Sequence, residues 1–113
     1  MGNPFGNPGG LGNLGGMMKQ AKKVYEAVQK VQEELAEEKI EAASGGGMVK
    51  AVVNGKGALL EIKIDPQVVD PDDVEMLEDL VTTAVREALS EAGKLEAERI
   101  QAATGGLNLP GMF

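Results

Sequence analysis

The sequence predicts an α+β fold in which two long helices flank a three-stranded antiparallel sheet, in the order α-β-β-β-α. Three observations carry this expectation. Apolar residues recur at heptad spacing in the first third of the chain, three short runs of β-favouring residues punctuated by glycine follow, and a second helical periodicity occupies most of the remainder. At 113 residues the chain has room for one ordinary core and not for a second, so residues 17–104 are expected to form a single domain between two tails.

Residues 1–16 (MGNPFGNPGGLGNLGG) are mostly Gly, Asn and Pro, with too few packable side chains to offset their backbone entropy, and are expected to form a disordered tail. Residues 105–113 (GGLNLPGMF) have the same character and are expected to be flexible, although the scattered Leu, Met and Phe of both tails suit docking on a partner. From Met17 to about Glu38, the residues Met17, Ala21, Val24, Val28, Val31 and Leu35 are spaced 4, 3, 4, 3, 4. That narrow stripe seeks a second helix lying nearly parallel or antiparallel to it.

Three strands are expected at Lys39–Ser44, Met48–Asn54 and Ala58–Asp65. Asn54-Gly55 is the pair that accepts positive φ angles in a tight hairpin turn, and Gly57 allows a bulge beside it. Along the third strand, Ala58, Leu60, Ile62 and Ile64 alternate with Glu61, Lys63 and Asp65, which predicts one buried face. Asp70-Pro71-Asp72-Asp73 then opens the second helix, with Asp70 as N-cap and Pro71 in the first helical position. Val74, Leu77, Val81, Ala84, Ala88 and Leu95 continue its apolar stripe to about Thr104, where Gly105 and Gly106 end it; Gly93 is its expected weak point.

Composition excludes much chemistry. Cysteine and histidine are absent, which removes disulfides, thiol nucleophiles, thiolate zinc sites and the usual proton carrier near neutral pH, so no enzyme and no cofactor or metal is expected. There is no run of about 18 apolar residues and no secretory signal pattern, so a cytoplasmic protein without a membrane partner is expected. Only Phe5, Tyr25 and Phe113 are aromatic; a core of Val, Leu, Ile, Met and Ala is thin, which favours a second copy sharing the apolar surface. Asp65, Asp70, Asp72 and Asp73 lack the glycine and distal Glu of a calcium loop and are explained by capping. Neither glycine run, 45–47 nor 55–57, leads into a helix as a phosphate-binding loop would.

The net charge of −7 opposes binding to a polyanion, but its distribution matters more than its sum. Residues 17–31 carry Lys19, Lys22, Lys23 and Lys30 against Glu26 alone. Glu33, Glu34, Glu37 and Glu38, and the six acids between Asp70 and Asp79, are elsewhere. If the helices pack antiparallel, Lys19, Lys22 and Lys23 meet Lys94 and Arg99 at a tip away from the sheet, with Lys30 further down the arm. The acidic base is then about three to five screening lengths away, at ~8 Å each. The same lysines also serve as the solvated face of an amphipathic helix. As a DNA-binding set, Lys19, Lys22, Lys23, Lys30, Lys94 and Arg99 would grip phosphates without reading bases.

The helix opening Met17-Met18-Lys19-Gln20-Ala21, the segment Gly47-Met48-Val49-Lys50-Ala51-Val52-Val53-Asn54-Gly55-Lys56-Gly57 and the strand exit Ile62-Lys63-Ile64-Asp65-Pro66 together resemble the YbaB/EbfC family over nearly the whole chain. The resemblance implies a tweezer-like homodimer joined through the sheet, with projecting helices that contact double-stranded DNA, working in the nucleoid without cofactor or catalytic residues. The alternative expectation is an adaptor whose tails or helix stripes recruit a replication or recombinational-repair protein.

Overall fold

The computed structural model describes residues 8–105, with side chains described from Leu14 onward; the remainder of both expected tails lies outside the described residues. The elements are α1 (Pro8–Glu37), β1 (Lys39–Ser44), β2 (Val49–Asn54), β3 (Leu59–Ile64) and α2 (Val74–Ala103), with short 3₁₀ turns at Gly45–Gly47 and Pro66–Val68. The α+β order and the three strands match the sequence expectation to within a residue or two.

α1 begins earlier than expected, at Pro8 instead of Met17. Extending an existing helix adds one backbone bond per residue fixed, without the cost of a new nucleus. Proline suits the first turn because its missing N–H would have no partner there. α2 begins later than expected. Pro71 sits in a turn closed by the Asp73 amide donating to the Asp70 carbonyl at 2.9 Å. The true N-cap is Asp73, whose Oδ1 accepts from the Met76 amide at 3.1 Å, while Asp70 Oδ1 accepts from Asp72. The Asp65 carboxylate likewise accepts from the Gln67 amide at 2.9 Å. The acids therefore serve turns and a cap, and no group of three metal-ligating side chains occurs among the described residues.

The sheet order is β1-β2-β3, antiparallel throughout. β2 lies in the centre and turns Val49, Ala51 and Val53 toward α2, where they pack with Ala42, Ala84, Ala88 and Ala92. The alanines of α2 stand four apart on one face, and Ala92, absent from the expected stripe, completes the ridge. Their small side chains let the helix lie close against β1 and β2.

β3 departs from the expected alternation. The register slips between Val52 and Val53, so Val52 pairs with Glu61 and Val53 with Leu59, and Leu60 is the extra residue. Leu59 thus takes the α2 side with Ile62 and Ile64. Leu60 joins Val52, Glu41 and Lys63 on the opposite face. Nor is the α2 side of β3 buried, since α2 lies across the other two strands; Leu59 is 50 % exposed and Ile64 39 %.

The hairpin turn also differs from expectation. Asn54 and Gly55 do not adopt positive φ; Gly57 does, at +86°. The Gly57 amide donates to the Asn54 carbonyl and the Asn54 amide to the Ala58 carbonyl, closing a three-residue loop of the type that ends in a left-handed residue. Gly55 serves another purpose. Its amide donates to the Leu35 carbonyl at 2.8 Å, and a Cβ there would lie 2.7 Å from that oxygen and 2.8 Å from Leu35 Cδ2.

These contacts predict opposite outcomes for two glycine-to-alanine changes. Gly55→Ala forces the end of α1 off the hairpin and should destabilise by about 1–3 kcal/mol. Gly93→Ala enters open space in an unbroken helix and should stabilise by about 1 kcal/mol. Urea unfolding followed by circular dichroism measures both.

Candidate nucleic-acid interface

The site is built on the two helices where they leave the sheet. They run antiparallel: Val28 and Gln32 of α1 lie beside Gly93, Glu96, Ala97 and Ile100 of α2, and Lys23, Val24 and Ala27 lie beside Ala103 and Thr104. The heptad stripe is buried in proportion to its distance from the tip. Met17 and Ala21 are exposed, Val24, Val28 and Val31 are half-buried, and Leu35 is fully buried. α2 ends level with Lys23, so the first turns of α1 project beyond it.

Lys19, Lys22 and Lys23 are exposed on that outer portion of α1. The carboxylate of Glu26 stands 4.0 Å from the Lys22 ammonium, in a pair whose side chains are 78 % and 63 % exposed, a contact that water and salt largely screen. Lys30 is also exposed, roughly 10 Å nearer the sheet at ~1.5 Å of rise per residue. Lys94 is exposed but follows directly on Gly93, roughly 14 Å short of the α2 terminus by the same rise. It therefore stands apart from the three outer lysines.

Arg99 corrects the expectation of a free cation at the tip. Its Nη2 donates to Glu38 Oε1 at 2.7 Å, with both side chains about two-thirds shielded from water. Glu38 is the first residue beyond α1, so the bond ties the outgoing arm to the root of the incoming one. Sequence spacing missed this because the partners are 61 residues apart in the chain. Tyr25 is exposed beside the stripe.

The acidic start of α2 lies at the other end of the molecule. Counting along α1 from Lys23 to Leu35 and then along α2 from Ala92 back to Val74, the separation is roughly 45 Å at ~1.5 Å per residue, more than five screening lengths of ~8 Å. Carboxylates there contribute little repulsion at the arm end. Glu96 and Glu98 are nearer, on the last turns of α2. Glu33, Glu34, Glu37 and Glu38 also lie closer than the three to five screening lengths expected, Glu33 standing roughly 15 Å from Lys23 at ~1.5 Å of rise per residue.

A profile of the YbaB/EbfC DNA-binding family matches residues 10–107. The chain belongs to this family. A protein named as nucleoid-associated from Thermoanaerobacter pseudethanolicus is 53 % identical over 108 residues, which cover 96 % of each chain. A nucleoid-associated protein of Clostridium kluyveri is 50 % identical over 109 residues, again 96 % of each. Among solved structures, an uncharacterised protein of Helicobacter pylori superimposes with a TM-score of 0.56 over 75 % of this chain and 90 % of its own. At 24 % identity that likeness bears on the fold alone. Within the family frame, the hairpin Asn54-Gly55-Lys56-Gly57 is the seat of α1, and no helix among the described residues is long and apolar enough to cross a membrane.

The Arg99–Glu38 bond has a measurable consequence. Arg99→Gln should lower stability by about 1 kcal/mol, as a partly shielded charge-assisted bond does, while Glu26→Gln should leave it unchanged because exposed pairs contribute little. Thermal melts of the two variants make the comparison.

Proposed function

We propose that this chain is a nucleoid-associated DNA-binding protein that grips the phosphate backbone, without reading bases, through the ends of its projecting helices. The observation that carries the reading is the position of Lys19, Lys22 and Lys23: exposed, midway along α1 where it passes the end of α2, and several screening lengths from the acidic start of α2. Lys30 lies further along α1 toward the sheet, and Lys94 stands apart on α2. Arg99, engaged by Glu38, acts by holding the arms together. Membership of a DNA-binding family and the names of its relatives support the same reading and the nucleoid as its place of work.

The working unit is a homodimer joined at the sheet. The α2 side of β3 presents Leu59 and Ile64, and Leu89 of α2 is exposed on the flank nearest the hairpin. One chain leaves this apolar strip wet; a second copy covers it. Pairing also doubles the lysine sets, giving about six phosphate contacts if each of the three outer lysines makes one. The expected salt dependence is then a slope of about −5 in log affinity against log salt.

Anisotropy titrations of a labelled duplex over a range of KCl concentrations test the interface. Lys19→Glu, Lys22→Glu and Lys23→Glu combined should weaken binding at least tenfold and flatten the salt slope by several units, whereas Arg99→Gln should leave the slope in place. Unaltered affinity and slope in the triple variant would discard the arm-end interface. Sedimentation equilibrium tests the assembly: the chain should sediment at twice its 11.8 kDa mass, and Leu59→Asp with Ile64→Asp should sediment as the single chain.

A further inference from the structure

α1 has a second exposed flank besides its lysines. At about 100° of rotation per residue, Leu14, Met18 and Tyr25 fall within about 40° of one another around the helix, with Ala21 and Met17 on their border. This sector contains no charged residue between positions 14 and 25. It is also open: Leu14 is 44 % exposed, Met17 65 %, Met18 66 % and Tyr25 65 %. α2 does not cover it, because α2 ends beside Lys23, Val24 and Ala27, and Tyr25 is turned about 100° away from Val24. The edge of the flank is cationic. Lys22 precedes Tyr25 by one helical turn, the spacing at which helical side chains are neighbours, and Lys19 lies beyond Lys22 on the same side. Glu26, 4.0 Å from the Lys22 ammonium, is the one carboxylate between Leu14 and Lys30.

We propose that this flank holds unstacked bases, so that single-stranded DNA is a ligand of the arm in addition to the duplex. The inference rests on the DNA-binding reading above and extends it. Phosphates of either form satisfy the lysines, but only one form has a use for the flank. A duplex keeps the faces of its bases stacked inside and presents a charged backbone and polar base edges, against which Met18 and Tyr25 gain nothing. Each unit of a single strand instead joins one phosphate to one flat, open base. The helix offers the matching pair within a turn: the Lys22 ammonium for the phosphate and the Tyr25 ring for the base. Tyr25 is the one aromatic side chain among the described residues, and base stacking on such a ring tolerates any sequence because every base has a π face. Met18 and Leu14 continue the same line toward the start of α1, where a polarizable thioether and a leucine take the neighbouring base out of water. Sequence-independent phosphate contacts and sequence-independent stacking thus occupy adjoining flanks of one helix.

The test uses the full chain, which contains no tryptophan. In Tyr25→Trp the single indole, excited to the red of the bases, should be strongly quenched by an oligo(dT) strand and little changed by a duplex of the same length. Anisotropy with the same two labelled probes reads affinity: Tyr25→Ser should weaken oligo(dT) binding about tenfold, as loss of one stacked base does, leave duplex affinity unchanged and keep the native circular dichroism, while Tyr25→Phe should bind as the wild type. Lys19→Glu, Lys22→Glu and Lys23→Glu combined should weaken both probes. An indole insensitive to oligo(dT), or equal losses on the two probes in Tyr25→Ser, overturns the proposal and leaves the duplex interface standing; a wild-type chain that binds neither probe overturns both readings. Tighter binding of an oligo(U) strand would reassign the flank to RNA. Sedimentation above twice the chain mass that Tyr25→Ser abolishes would reassign it to a second copy, and either result overturns the proposal.

Discussion

The arrangement depends on how the end of α1 is held. The last carbonyls of any helix lack intrahelical donors, and here the β2–β3 hairpin supplies them. Gly55 donates its amide to Leu35, and Asn54 Nδ2 donates to Ala36 at 3.3 Å. Asn54 Oδ1 meanwhile accepts from Lys56 and Ala58, both at 2.9 Å, so one side chain shapes the turn and receives the helix. Leu35 is buried against Gly55, where any side chain would collide with it. The direction in which the arm leaves the sheet is set at this junction. Shifting it by one residue would rotate the lysines by about 100° around the helix.

The core that supports the junction is thin. It is made of alanines and valines, with the Ala84-Ala88-Ala92 ridge laid on Ala42, Val49, Ala51 and Val53. Small side chains bring helix and sheet close, but they bury little area each. One helix covers two strands, and the third keeps its apolar side open. A chain built this way has surface left for association, and the slip at Leu60 determines which leucine lies on which side of the sheet.

Electrostatics follow from the same geometry. A net charge of −7 would oppose a polyanion if spread evenly. Antiparallel helices of equal length, sharing only part of their length, instead put the start of α1 and the start of α2 at opposite ends. Lys50 pairs with Glu41 and Lys63 with Glu61 on the outer sheet face, so these two sheet cations have carboxylates within 4 Å. The arm carries Lys19, Lys22 and Lys23 outward, away from the acidic start of α2.

Periodicity and turn chemistry in the sequence determined the element order, the strand limits, the helix stripe and its lysines, because each is a local property of a few neighbouring residues. The family motif was legible for the same reason. Residues distant in the chain had to meet before the rest was settled. Gly55 is required by Leu35, Arg99 is taken by Glu38, Lys94 stands short of the tip, and β3 has an uncovered side because α2 rests on its neighbours. No spacing rule contains these facts, since each depends on where two elements cross, and that is fixed by packing between surfaces the chain brings together only once folded.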